Sequence, residues 1–131
     1  MYKIEKTPWG YRLQFQGFMQ KDEMNQWVQE SERTLNADSR GSFNIFVDMR
    51  HLKPLDNDAQ QEMQHGQKMY KNKGMKRSVV IVDSPTTKLQ FKRIAKDSGI
   101  YQWERYIDAS SDPNWEKTAF DWINEGIDPD A

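Results

Sequence analysis

The chain has 131 residues, enough to bury a core without disulfide or metal support, and we expect residues 1–131 to form one domain. Its 19 lysines and arginines nearly balance 20 aspartates and glutamates, so no nucleic-acid partner is expected. It has no cysteine, which excludes disulfides, thiol catalysis and thiolate metal sites. No stretch is apolar enough to cross a bilayer, and the first residues lack the apolar run of a signal peptide, so we expect a cytoplasmic location.

The first part of the chain predicts a hairpin, a helix and a buried strand. Alternating residues in Tyr2–Lys6 and Tyr11–Gln16 flank a Thr-Pro-Trp-Gly turn, which is typical of two antiparallel strands. From Lys21 onward, residues recur at helical spacing on one face, formed by Met24, Trp27, Val28, Ser31 and Leu35. The continuous apolar run Phe43–Asp48 then predicts a strand that is covered on both faces.

The middle of the chain predicts a second helix, a second buried strand and the start of a third helix. The second helix covers Asp56–Lys73, and Gly66 in the middle of its apolar stripe indicates close packing against the sheet. Ser78–Asp83 is the next buried strand. Ser84 is a typical helix N-cap and Pro85 a typical first helical residue, so the third helix begins there.

The last part of the chain predicts a short strand and a final helix. The strand covers Glu104–Ile107 and is expected near an edge of the sheet. Asp112 opens the helix and Gly126 stops it. We expect the acidic tail Asp128–Ala131 to fray.

Strands and helices that alternate in this way predict an α/β fold: an N-terminal hairpin, then β-α units, in a mixed sheet with about four helices. Loops that follow parallel strands meet at one edge of the sheet, where such folds bind ligands. This requires that Phe43–Asp48 and Ser78–Asp83 lie side by side in the same direction. We then expect a rim of loop residues for partner or ligand binding: Asp48, Arg50, His51, Asp56, Asn57, Asp58, Asp83, Ser84 and Thr86. The alternative is that these side chains only cap helices and end strands.

No catalytic motif is present. The sequence has no glycine-rich phosphate loop, no His-Glu-x-x-His pair and no Gly-x-Ser-x-Gly elbow. His51 lies close to Asp48, as in an acid–base pair, but no nucleophile accompanies them. We therefore expect no catalytic residue, no metal site and no cofactor. An enzyme that uses Asp48, His51 or Asp83 stays as a third alternative.

The third helix is predicted to carry a basic outer face. At about 100° per residue, its cations cluster on the side away from the core, around a leucine that lies off the apolar stripe. This face is formed by Lys88, Leu89, Lys92, Arg93 and Lys96. It suits an acidic partner or an anionic lipid surface, or it is simply solvated charge. Leu89, and Phe120 on the last helix, also suggest self-association as a homodimer.

Nearly the whole chain resembles the STAS domain, which is found in anti-sigma-factor antagonists and at the cytoplasmic end of sulphate transporters. It is most similar to the stand-alone bacterial STAS-like proteins that are compared with CRAL-TRIO lipid-transfer domains. The matching stretches are Phe46–Leu52, Met75–Val82, Gln90–Ala95 and Ala119–Gly126. The resemblance implies a STAS-like mixed sheet and a non-enzymatic regulatory role that depends on binding a protein partner.

One departure from the family pattern concerns the loop before the second helix. In antagonist-type STAS domains this loop carries Asp-Ser-Ser-Gly, and a serine there accepts phosphate from a partner kinase. The matching positions are Asp56–Ala59, which read Asp-Asn-Asp-Ala and contain no hydroxyl. The resemblance therefore implies an interaction module that lacks the phospho-acceptor serine, with Asp58 as a fixed negative charge. The alternative is a small-molecule or lipid carrier, suggested by the abundant Met and Trp and by the likeness to lipid-transfer folds.

Overall fold

The computed structural model describes residues 1–131, in which a hairpin is followed by alternating helices and strands. The strands are β1 (Tyr2–Lys6), β2 (Gly10–Gly17), β3 (Phe43–Leu52), β4 (Met75–Val82) and β5 (Glu104–Asp108). The helices are α1 (Lys21–Ala37), α2 (Asn57–Asn72), α3 (Pro85–Ser98) and α4 (Trp115–Glu125), and a short 3-10 turn, Ile100–Gln102, lies between α3 and β5.

The five strands form one mixed sheet in the order β1-β2-β3-β4-β5. Only β1 and β2 are antiparallel, and every other neighbouring pair is parallel. In the β3–β4 pair, Ile45 lies opposite Ser78 and Asp48 lies opposite Ile81. The prediction that these two strands run side by side in the same direction is confirmed, and with it the α/β mixed sheet with four helices. The last strand, β5, is an edge strand, as expected.

The two faces of the sheet carry cores of different size. Phe43, Ile45 and Val47 of β3 point to the larger core, which is covered by α1, α2 and α3. Phe46 points to the opposite face and packs in a smaller core against α4. This alternation follows from the two-residue period of a strand. Helices on both faces explain why the central strands are so apolar.

Side chains at the helix starts act as the sequence predicts. The Asp56 carboxylate accepts a hydrogen bond from the Ala59 N–H at 2.8 Å, and the Ser84 hydroxyl accepts one from the Thr87 N–H at 3.0 Å. Each bond satisfies one of the four free N–H groups at a helix N-terminus. The start of α4 differs, because Asp112 lies in the turn before Trp115 rather than in the helix.

Gly66 is required for packing between two helices, and not against the sheet as expected. A Cβ atom at this position would lie 2.2 Å from Cζ3 of Trp27, on α1. The Trp27 ring is 3% exposed and stacks on Tyr70 of α2. The glycine therefore allows α2 to approach an indole of α1.

Strand β3 is longer than the sequence predicts. It continues past Asp48 to Leu52, so Asp48, Arg50 and His51 lie in the strand and not in a loop after it. Helix α4 packs over β3, β4 and β5 and leaves the same face of β1 and β2 without a helix. The end of β3 lies beside this uncovered part and tolerates polar side chains, which are why the strand does not read as apolar to its end.

Candidate functional site

The starts of α2 and α3 lie together at the carboxyl ends of β3 and β4. They border a shallow groove of about 40 Å³. Its apolar walls include Met49 and Leu55 beside β3 and Phe91 from α3, and Gln60 and Gln90 stand at its mouth. The two helix starts thus meet at one edge, as parallel strands require. A groove of this volume holds a few water molecules and is far smaller than a typical small-molecule site.

Four exposed polar residues at the starts of α2 and α3, which do not line this groove, form what we call the rim surface: Asn57, Asp58, Asp83 and Thr86. None of these four side chains makes a hydrogen bond or an ion pair within the chain. Asp56 and Ser84 lie among them, but their oxygens are occupied by capping the two helices. Because a side chain already fills each N-terminal turn, the rim surface offers polar contacts rather than an anion pocket.

Asp48 and Arg50 form a pair on the α4 face of β3, at the border of the part of the sheet that α4 leaves uncovered. The Arg50 Nε and Nη2 atoms donate to the two Asp48 oxygens at 3.0 and 2.9 Å, and the guanidinium lies 4.6 Å from the centre of the Trp115 ring. Burial raises the pKa of Asp48, but the hydrogen bonds and charge of Arg50 outweigh it and leave that pKa below its ordinary value. A carboxylate held in this way is a poor proton acceptor at neutral pH.

The uncovered face of the sheet also brings in residues that sequence reasoning did not assign to a site. An open polar cavity of about 280 Å³ lies there, and its walls are formed by Lys3, Glu5, Arg12, Gln14, Asp48 and Arg50. The alternating polar residues of the hairpin are the feature of the sequence that could have indicated this cavity. Their meeting with Asp48 depends on the pairing of β2 with β3, which places Gln14 opposite Asp48. His51 lies further along β3 and is exposed.

Asp108 is a second acidic residue at a strand end that the sequence did not single out. Its carboxylate accepts hydrogen bonds from the hydroxyls of Ser110 and Ser111 at 2.6 and 2.7 Å. The consecutive serines after an acidic strand end are the signal that could have found it. Because the loop's own hydroxyls bind the carboxylate, we assign Asp108 to loop structure.

The larger core contains an apolar cavity of about 30 Å³ under α1 and α2. Trp27 and Gln67 line it, and the Trp27 Nε1 and Gln67 Oε1 atoms are buried without a hydrogen-bond partner. Glu104 also lines it and is fully buried, accepting hydrogen bonds from Ser78, Tyr106 and Gln67. Burial raises the pKa of this carboxyl. A cavity of this size admits water but not an acyl chain, so it gives no support to the carrier hypothesis.

The basic face of α3 is partly covered by the tail, which does not fray as expected. The Asp130 carboxylate lies 3.3 Å from Lys92 Nζ and 3.7 Å from Lys88 Nζ, and Asp128 binds Arg105 of β5. Long-range ion pairs therefore hold the tail in place.

The rest of the basic face is exposed as predicted, whereas Phe120 of α4 is partly buried. Arg93 and Lys96 are exposed, and Leu89 is 67% exposed, as predicted. Phe120 is not an exposed contact residue, because it stacks on Phe46 at 5.3 Å and covers the smaller core. Self-association through Phe120 is therefore withdrawn.

No group of three or more His, Asp or Glu side chains lies close enough together to hold a metal ion. No helix combines the length and the apolar character needed to cross a bilayer.

Comparisons with known proteins support the fold. No protein-family model matches the sequence. No curated protein has significant similarity to it. Among solved structures, the chain is similar to the anti-sigma factor antagonist SpoIIAA in its unphosphorylated form, with 14% identity, 98% of this chain and 99% of that chain covered, and a TM-score of 0.62. It is also similar to an uncharacterised protein of the DUF3478 family with a SpoIIAA-like fold from Shewanella loihica PV-4, with 16% identity, 94% and 92% covered, and a TM-score of 0.64.

Both likenesses extend over almost all of each chain, and they include the hairpin, the parallel strands and the helices that the sequence resemblance implied. The chain therefore has a STAS-like fold, the fold of the anti-sigma factor antagonist SpoIIAA.

Proposed function

We propose that this chain is a non-enzymatic regulatory module that binds a partner protein through the Asp56–Ala59 loop and the neighbouring start of α3. The observation that carries this proposal is the rim surface. Two helix starts lie side by side there, and the side chains of Asn57, Asp58, Asp83 and Thr86 are exposed and make no hydrogen bond or ion pair inside the chain. Exposed polar side chains that have no partner within the chain suit the polar rim of a protein interface.

The chemistry of the site favours binding over catalysis. The groove holds about 40 Å³, too little to enclose a substrate. Asp48 is tied to Arg50 by two hydrogen bonds, and His51 is exposed opposite Gln16 of β2. The arrangement thus lacks the nucleophile, base and orienting group that a hydrolytic or transfer site combines.

The proposal includes constitutive binding, without a phosphorylation switch at the α2 start. Asn57 and Asp58, the exposed residues in the first turn of α2, have no hydroxyl to accept a phosphate. Asp58 carries a fixed charge that is smaller than that of a phosphate and offers fewer acceptor oxygens. At the start of α2, a partner therefore meets one charge state only.

The test is affinity capture from a native lysate with quantitative mass spectrometry, comparing three forms of the chain. The rim variant Asp58→Lys/Asp83→Lys reverses two exposed charges that make no hydrogen bond or ion pair in the chain. The control variant Glu32→Lys/Glu125→Lys makes the same change in net charge at exposed positions on α1 and α4. We expect at least one protein to be retained by the wild type and the control and lost by the rim variant, because charge reversal at an interface repels a complementary partner.

Mixing the purified pair, with titration calorimetry of all three forms, then separates direct binding from capture through a third protein. Equal retention of every captured protein by the rim and control variants would overturn the proposal.

A further inference from the structure

We propose that Tyr101, Arg105, Lys88 and Lys92 form a second binding site, which takes an acidic peptide segment of a partner protein, and that Asp128–Asp130 of the chain occupies it as an internal competitor. The site lies on the outer face of α3 and at the edge of β5, so it does not depend on the rim surface.

Arg105 is held in place before any carboxylate binds. Its guanidinium lies 4.1 Å from the centre of the Tyr101 ring and 4.6 Å from that of Trp122. One nitrogen, Nη1, donates to the backbone carbonyls of Tyr101 and Glu104. The remaining Nε and Nη2 atoms form a fork that donates to the two oxygens of Asp128 at 2.9 and 3.2 Å. A guanidinium fixed by two rings and two carbonyls is a preformed carboxylate receptor.

A second carboxylate position lies next to the first. The Tyr101 hydroxyl donates to Asp130, and the ammonium groups of Lys92 and Lys88 approach the same carboxylate. Burial raises the pKa of Asp130, but Tyr101 and Lys92 outweigh it and hold that pKa below the ordinary value. The site thus recognises two carboxylates separated by one residue, as in the Asp-Pro-Asp sequence of the tail.

Gly126 directs the tail to this site. It has φ = 71°, in the left-handed region, and a Cβ there would lie 2.7 Å from Nη2 of Arg77. The chain therefore turns sharply at the end of α4, which packs on one face of the sheet. Since α3 packs on the other face, the tail crosses the edge at β5 to reach Lys92.

The site offers more positive charge than the tail uses. Arg93 and Lys96 form no ion pair, and the Lys96 ammonium lies 5.0 Å from the Tyr101 ring, at the margin of the site. Leu89 lies on the same helix and is 67% exposed. Each pair of the tail has one partner that is more open to solvent: 35% of the Asp128 side chain is exposed against 11% of Arg105, and 26% of Lys92 against 12% of Asp130. Exchanging the tail's carboxylates for those of another segment leaves Arg105 and Lys92 paired, so a segment with more carboxylates can displace the tail.

The experiment is a titration followed by two-dimensional ¹⁵N NMR, with the peptide Asp-Pro-Asp-Asp-Pro-Asp as the probe and the same peptide with asparagine at every aspartate as its control. The tail-release variant Asp128→Asn/Asp130→Asn vacates the site. The variant Asp22→Asn/Glu32→Gln makes the same change in charge at exposed positions on α1.

We expect the acidic peptide to shift amide signals of α3 and of the turn at Tyr101. Binding to the tail-release variant should be about tenfold tighter than to the wild type and the α1 variant. This factor corresponds to a wild type in which the tail occupies the site in about nine molecules of ten. The asparagine peptide should not bind, and adding Lys92→Gln to the tail-release variant should weaken binding. The NMR spectrum of each variant reports directly whether it is folded.

Three results would overturn the proposal. The first is an affinity for the acidic peptide that is equal in the wild type and the tail-release variant. The second is a set of shifts elsewhere in the chain. The third is binding of the tail-release variant to phosphatidylcholine vesicles containing phosphatidylserine but not to the peptide, which would assign the basic face to a membrane surface. We expect the rim variant Asp58→Lys/Asp83→Lys to bind the peptide with the same affinity as the wild type. A failure of this proposal can therefore be distinguished from a failure of the proposed function.

Discussion

Replacing Gly66 by alanine tests how α1 and α2 pack. In an exposed helix the change would stabilise the chain by about 1 kcal/mol, because alanine has the better helix propensity. Here the new Cβ would lie 2.2 Å from Cζ3 and 2.5 Å from Cη2 of Trp27. Favourable carbon–carbon contacts are about 3.5–4.0 Å, so the indole must move by more than about 1 Å.

The Trp27 ring has little freedom to move. It stacks on Tyr70 with ring centres 5.7 Å apart, meets Phe15 edge to face at 5.0 Å, and is 3% exposed. Overpacking of this kind costs about 1–3 kcal/mol, and an overlap with a rigid ring lies at the upper end. After subtracting the gain in propensity, we expect Gly66→Ala to lower the free energy of unfolding by about 1–2 kcal/mol. With an unfolding entropy of about 2.1 cal/mol/K per residue, the melting temperature should fall by about 4–8 °C.

Thermal and urea unfolding followed by circular dichroism measure this effect. Gly41→Ala is the matched control, since its Cβ would have no atom within 4 Å and its φ is not positive. That variant should stay within about 0.5 kcal/mol of the wild type. In a Trp27→Leu background the clash is absent, and Gly66→Ala should become neutral or stabilising. A higher melting temperature for Gly66→Ala in the wild-type background would refute the reasoning.

Two further predictions concern single side chains. Ser84→Ala removes the acceptor of the Thr87 N–H and should cost about 1 kcal/mol in urea unfolding, whereas Ser39→Ala, at an exposed position, should cost nothing measurable; equal losses would contradict the capping role. For Asp38, a hydrogen bond from the Tyr11 hydroxyl is the main cause that lowers the pKa to about 2. Since this folded-state pKa lies below that of the unfolded chain, the stabilisation is complete above about pH 4 and is lost as the pH falls towards 2. The difference in melting temperature between the wild type and Asp38→Asn should therefore shrink between pH 5 and pH 2, and a constant difference would contradict the assignment.

The sequence predicts a helix or strand well where residues close to it in the chain determine its position. The buried face of α1 is the one that the helical period indicated, and α3 begins at Pro85 after the Ser84 cap. Both signals lie within a single helix and its first residues, so they do not depend on the rest of the fold. The parallel pairing of β3 and β4 followed from the alternation of strands and helices.

The candidate site was predicted only in part. Asn57, Asp58 and Asp83 lie at the expected edge, but Asp48 and Arg50 lie inside β3 and line the polar cavity beside the hairpin. The error arose because polar residues were taken as the end of β3. They are tolerated inside the strand because α4 does not extend over β1 and β2, and nothing near them in the sequence indicates which face α4 covers.

The tail shows the same limit over a longer distance. Asp128 binds Arg105, which is 23 residues earlier in the chain, and Asp130 reaches Lys92 on the opposite side of the sheet edge. An acidic segment after the end of a helix is predicted to fray because no cation lies near it in the sequence. Its cations are brought to it only by the order of the strands and the turn at Gly126.

By itself, the sequence determined the α/β class, the four helices and the meeting of two helix starts at one edge, because periodicity, caps and the direction of crossovers act through neighbouring residues. Only the tertiary structure decided which helix Gly66 approaches, which part of the sheet stays uncovered and where the acidic tail docks. Each of these depends on surfaces that come from distant parts of the chain, and contacts between such surfaces leave no local pattern.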